Sequence, residues 1–153
     1  MRPSLLVVAL VLSLIPRHAI AQAPDTRSAA APALSEQIVF LYYSDLRVAE
    51  DFFGKVLGLE KTMDKEWVKI YRTIGGSSIG AVKEGRGFHK TSPSKPVMIT
   101  WAVDDIQPWY ERVVKSGVKV LKAPQVATDP PAKSFLVADP TGYTFEFLEW
   151  VRE

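Results

Sequence analysis

The chain says one thing twice. Tyr43-Ser44-Asp45-Leu46, leading into Phe52-Phe53 and Leu57-Gly58, is answered by Val103-Asp104-Asp105-Ile106, leading into Trp109-Tyr110 and Ser116-Gly117-Val118. Each copy reads as an apolar strand, a capping Asp, a helix of about three turns and a Gly stop. A duplicated supersecondary unit constrains architecture more than any local propensity, because both copies must bury the same kind of face. The capping aspartates Asp45 and Asp105 lie 60 residues apart. That period suits a βαβββ module used twice and points to a site where the two modules meet.

The first module is expected over residues 36–84 and the second over 97–151, with 85–96 as a Gly- and Pro-containing linker. Ile38 to Tyr43 is an unbroken apolar run, which suggests a strand covered on both faces. Leu46, Ala49, Phe52, Phe53, Val56 and Leu57 then form one stripe of an amphipathic helix. Leu59 to Met63, Trp67 to Thr73 and Ser78 to Glu84 have strand character, the last two joined by Gly75-Gly76. In the second copy Val97 to Val103 is the opening strand and Pro108 sits in the first helical turn, where its missing N–H is not needed. Val118 to Leu121, Ser134 to Ala138 and Tyr143 to Trp150 follow as strands, with Asp139-Pro140-Thr141-Gly142 as a tight turn.

Residues 1–21 stand apart from this pattern. A basic start at Arg2, an apolar run from Leu5 to Ile15 and the small-x-small site Ala19-Ile20-Ala21 read as a secretory signal. The run is shorter than the roughly 20 apolar residues that span a bilayer, so no stable membrane anchor is expected after cleavage. Residues 22–35, rich in Ala, Pro and Ser, read as a flexible leader to a folded domain over 36–153. The expected destination is periplasmic or secreted. Arg2 and Arg17 account for the whole formal charge of +2, so the remainder is neutral and nucleic acid is not an expected partner. With no Cys there is no disulfide, thiol nucleophile or zinc-thiolate site.

Asp45-Leu46 with Phe52-Phe53 and Leu57-Gly58, Val103-Asp104-Asp105-Ile106 with Gly117, and Asp139-Pro140-Thr141-Gly142 before Phe145-Glu146-Phe147 follow one another in a familiar order. In these motifs, over about residues 36–151, the chain resembles the vicinal oxygen chelate superfamily, which includes glyoxalase I, extradiol dioxygenases and fosfomycin- and bleomycin-resistance proteins. The resemblance implies an α+β fold in which two tandem βαβββ modules form a cup-shaped mixed sheet with the helices outside. It also implies a homodimer and a small-molecule ligand held in the cup. Metal-dependent relatives carry a His seven residues before each capping Asp and a Glu just after the Asp-Pro-x-Gly turn. Here those positions hold Ile38, Met98 and Glu146. Isoleucine has no donor, and a thioether is a poor ligand for hard or borderline cations, so no metal cofactor is expected.

Strand alternation names the cup residues. If Ile38 faces inward, so do Phe40 and Tyr42, with Met98 and Thr100 from the second module and Glu146 and Leu148 from the last strand. Such a lining suits a small aromatic or amphipathic molecule, and the Glu146 carboxylate favours a cationic or hydroxyl-bearing one. Glu146 is also open to a structural pairing with a base such as Arg72. His89 is the lone histidine after residue 21 and reads either as an exposed linker residue or as part of a lid. Tyr43 and Trp101 lie on the opposite parity, toward the helices.

Two functions stay open on the sequence, besides a third in which the cup is filled by its own side chains. One is an exported, metal-free binding protein. The other is a metal-dependent lyase, isomerase or dioxygenase whose metal is held by Glu146, Glu84 and His89, from one or both subunits of a dimer.

Overall fold

The computed structural model describes residues 33–151; the signal-like segment 1–21 and residues 22–32 of the leader lie outside the described residues. The elements run β1 (Gln37–Tyr43), α1 (Leu46–Glu50), a π-helical continuation (Asp51–Val56), β2 (Lys61–Asp64), β3 (Val68–Arg72), β4 (Ser77–Lys83), β5 (Met98–Ala102), α2 (Gln107–Lys115), β6 (Lys119–Thr128), β7 (Pro131–Ala138) and β8 (Thr144–Trp150). They form two four-stranded mixed sheets of identical topology, ordered β1-β4-β3-β2 and β5-β8-β7-β6. In each module the first strand pairs parallel with the last, through the crossover helix, and the other pairings are antiparallel. The α+β architecture of two βαβββ modules is the one the repeat indicates. No described helix is long and apolar enough to cross a membrane.

The two aspartates start their helices differently: Asp45 is the N-cap of α1, whereas Asp105, expected as the second cap, lies one residue before Ile106, the N-cap of α2. Asp45 Oδ1 accepts from Arg47 N–H at 2.9 Å and Asp105 Oδ1 from Gln107 N–H at 2.8 Å, each satisfying an orphan donor of the helix start. The first helix widens after Asp51, where the Leu57 N–H bonds the Phe52 carbonyl, and both Phe52 and Phe53 are buried in that stretch. It ends at Gly58, whose φ of 72° is left-handed. A Cβ there would lie 2.6 Å from Arg112 Nη2, and Arg112 uses that room to donate from α2 to the Val56 and Lys55 carbonyls. A cation at a helix C-terminus answers its dipole, and this one also ties the modules together.

Apolar odd-numbered residues of β1, β3, β4, β5, β7 and β8 and the apolar stripes of both helices make one core. Leu41, Tyr43, Ile79 and Tyr71 share it with Phe135, Phe145, Phe147 and Val113. Phe52 and Phe53 pack on Phe145 with ring centroids 4.9 and 5.8 Å apart, and Phe135 stacks on Phe147 at 4.9 Å. Aromatic burial on this scale dominates the stability of a domain without disulfides. A buried polar link lies beside it: Tyr43 Oη donates to Asp139 at 2.9 Å, and Asp139 also accepts from the N–H groups of Thr141 and Tyr143.

Three expectations need correction. Within one chain the junction of the modules is largely filled by these rings, because the sheets meet through their helix-bearing faces; what stays open there is a narrow crevice beside Trp101 and Trp109. β1 is not covered on both faces: Leu41 and Tyr43 are buried, but Phe40 is 45% exposed. β6 reaches Thr128 rather than Leu121, as the largely exposed strand of a long hairpin with β7. Its ladder shifts register twice around Ala123-Pro124, which suits an edge strand that holds a proline.

Candidate functional site

The residues expected to line a cup sit on the two faces that, among the described residues, carry no helix. Ile38, Phe40 and Tyr42 project from β1 on the even-numbered side, beside Val68, Ile70 and Val82. Met98 and Thr100 of β5 and Glu146 and Leu148 of β8 project from the same side of the second sheet. Each face is open within one chain: Met98 is 51% exposed, and Met63 and Trp67 flank the first face at 41% each. A hollow of about 420 Å³ runs over the first face, lined by Phe40, Tyr42, Met63, Trp67, Ile70 and Gly87 among others. Its walls are apolar. Trp67 and Met63 were not legible as site residues, because Trp67 precedes the first β3 residue and falls outside the strand's alternation.

The register shows which positions of the two modules correspond. Phe40 pairs with Gly80 in the first sheet as Thr100 pairs with Glu146 in the second. The counterpart of Glu146 is therefore Gly80, not Glu84, which lies just past the end of β4. The Phe40 ring rests where a side chain at 80 would be, only 2.5 Å from the position of a Gly80 Cβ. In the second sheet that space is used differently: Thr100 Oγ1 donates to Glu146 Oε2 at 2.8 Å. Arg72 does not pair with Glu146; it lies 3.7 Å from Glu60.

A divalent metal does not fit this donor set. The four equivalent positions hold Ile38, Gly80, Met98 and Glu146, of which only one offers a hard oxygen donor. Glu84 accepts from Thr91 N–H in the linker, and among the described residues no three His, Asp or Glu side chains converge on a point. Within one chain Glu146, Glu84 and His89 are not brought together.

His89 lies with its ring edge-on to Tyr42, centroids 5.5 Å apart, so the linker passes over the end of the first bare face. Gly87 lets it do so, since a Cβ there would lie 2.6 Å from the Tyr42 ring and 2.9 Å from Val82. Phe88 beside it is 92% exposed. Tyr43 and Trp101 face the helix side, where Tyr43 is fully buried and Trp101 stacks on Phe145 at 5.3 Å.

Comparison with known proteins gives the same family by another route. The model of the Glyoxalase/Bleomycin resistance protein/Dioxygenase superfamily matches residues 36–147. Among solved structures, a "conserved domain protein" is 22% identical, covering 77% of this chain and 100% of its own, with a TM-score of 0.65. Lactoylglutathione lyase from Agrobacterium tumefaciens is 19% identical over 78% of this chain and 96% of its own, with a TM-score of 0.63. TioX from Micromonospora sp. ML1 is 20% identical over 76% and 99%, with a TM-score of 0.62. At these identities the likeness is one of fold. No curated protein sequence matches the chain.

Proposed function

Because this chain belongs to the glyoxalase/bleomycin resistance protein/dioxygenase superfamily, we propose that it is a binding protein that holds a small aromatic or amphipathic molecule between its bare sheet faces without a divalent metal. A cationic or hydroxyl-bearing group of that molecule is read by Glu146. The observation that carries the reading is the pair of unlike walls, an aromatic one built by Phe40 over Gly80 and a polar one built by Thr100 and Glu146. An apolar surface with a few convergent polar groups is what small ligands select, since area supplies affinity and the polar groups fix orientation.

The second copy of the chain completes the site. Phe40, Met63, Trp67 and Met98 are each more than two-fifths exposed, and apolar area of that kind is stabilised by cover. One subunit's aromatic wall facing its partner's carboxylate wall provides it, and encloses the ligand. The N-terminal segment supports export, so the ligand is one met outside the cytoplasm, where glutathione and coenzyme A are not expected.

The test uses the chain starting at Gln22, purified without chelator or histidine tag. Sedimentation should give a dimer. A thermal-shift screen should find stabilisation by aromatic amines and phenols, stronger for the cations, with Glu146→Gln weakening cationic ligands about tenfold. Near-stoichiometric metal in the purified protein, or no stabiliser among many aromatic compounds, would overturn the reading.

A further inference from the structure

A second opening lies on the helix side of the sheets. Leu59, Ile74, Trp101, Val103, Trp109 and Phe147 line a crevice of about 200 Å³ in which Thr73 supplies the hydroxyl. It takes residues from both modules. Past Thr73, Ile74 and Trp101 it runs into a further hollow of about 180 Å³ toward Val39 and Ile99, with Gln37, Ser77 and Ser78 among its lining residues. Trp101 and Phe147 are odd-numbered and share the helix-side core, whereas Thr100 and Glu146 project from the opposite face. The first hollow thus holds none of the wall residues described above, and the further hollow reaches only Thr100 of them.

We propose that this crevice is an independent binding site for a neutral, flat aromatic compound of one or two rings. Size sets the ring count: a dry apolar cavity of about 150 Å³ accepts benzene. Neutrality follows from the first hollow's lining, which holds no ionisable side chain, so a charged group there would lose its water without gaining a partner. Flatness follows from the tryptophans. Trp101 is stacked on Phe145 with 21° between ring planes, and Trp109 on Phe147 with 28°. Rings already fixed by the core lose little freedom when a third ring lies against them.

The mouth of the crevice points the same way. Ile74 is 73% exposed, at the tip of the turn that joins β3 to β4. The turn is fixed by bonds from the Thr73 N–H to the Ser77 carbonyl and from the Ser77 N–H to the Ile74 carbonyl, with left-handed Gly75 and Gly76 between. A large apolar side chain is thereby held in water beside an apolar opening. A ring seated in the crevice would cover it.

The probe is 6-fluoroindole, followed by its fluorine NMR signal against the full folded chain. Saturable binding is expected with Kd below about 1 mM, within reach of a ligand of this size. Ile74→Glu should weaken it about tenfold or more by placing a carboxylate at the mouth, while Ile74→Leu should preserve it. Both substitutions lie at an exposed turn, and circular dichroism checks that each variant folds. Glu146→Gln should leave the probe's affinity unchanged. Absence of saturation in the parent chain, equal affinity in Ile74→Glu, or loss of binding in Glu146→Gln would overturn the proposal. The last outcome would move the probe to the bare faces and leave the function proposed for them standing.

Discussion

Positions 40 and 80 in the first module and 100 and 146 in the second are equivalent by register, and the chain fills them with opposite chemistry. One pair is a phenyl ring lying over a glycine; the other is a hydroxyl donating to a carboxylate. On the helix side the same comparison sets Leu41 against Trp101, Ile79 against Phe145 and Ala81 against Phe147. In these three pairs volume changes but polarity does not; Tyr43, whose counterpart is Val103, is the exception. A core asks only that space be filled by apolar atoms, so its two halves diverge in size. The bare faces diverge in kind, so the difference between the halves falls on the surfaces proposed to hold the ligand.

The comparison can be broken most forcefully from the shared core. Phe145→Ala removes a fully buried ring that touches Phe52, Phe53 and Trp101, and should cost about 3–5 kcal/mol in urea unfolding. A loss under about 1 kcal/mol would mean that the modules do not share one core.

Tyr43 and its counterpart Val103 give the next effect. Tyr43→Phe strips Asp139 of a buried donor and should cost about 1.5–3 kcal/mol. It should also change the response to alkali. Burial, then the charge of Asp139, raises the Tyr43 phenol far above its ordinary value of 10.0. A phenol raised in the folded state gives stability that is complete below the unfolded pKa and is lost as pH rises above it. The parent should therefore lose stability above about pH 10 more steeply than Tyr43→Phe. A residual slope remains from Tyr71, pushed up to about 12 mainly by burial. Equal slopes in the two proteins would remove Tyr43 as the source.

Transplanting one wall onto the other is a sharper test. Gly80→Glu alone should destabilise by about 1–3 kcal/mol, since its Cβ meets the Phe40 ring. Phe40→Thr in the same chain should recover most of that loss, a coupling expected at about 0.5–3 kcal/mol in a double-mutant cycle. Strict additivity would show that the two positions are not equivalent to 100 and 146.

The smallest effect belongs to an exposed cluster. Hydrogen bonds from Lys61 and then Lys69 hold the Asp64 carboxyl down to about 2. A depressed carboxyl stabilises the fold above its ordinary value of 3.8 and ceases to as pH falls through the folded value. Asp64→Asn should thus flatten the acid limb of a stability profile between about pH 4 and pH 2, slightly because the cluster is solvated.

The repeat carried most of the architecture, because Asp45, Asp105, Gly58 and Gly117 mark helix ends in a way that local chemistry enforces. Strand parity likewise separated Tyr43 and Trp101 from Phe40 and Thr100. Register was harder. Glu84 lies near the strand end, whereas the count from Phe40 and Thr100 leads to Gly80, a signal present in the repeat but readable only once the strand pairs are known. Which faces of the modules would meet was not legible either. Apolar residues lie on both sides of β1, and only three-dimensional packing decides which side receives the helices.

Tyr143 Oη, meanwhile, accepts from the Tyr42 N–H at 3.0 Å and donates to the Tyr42 carbonyl at 3.1 Å. Among the described residues β1 pairs only with β4, so both bonds lie on the side turned away from it. A foreign strand recruited there would find this rung already taken by a side chain, so templated growth of a cross-β assembly along β1 is interrupted near its end. Tyr143→Phe would reopen the rung. An aromatic hydroxyl that looks like one more core contact thus also guards an apolar edge against aggregation.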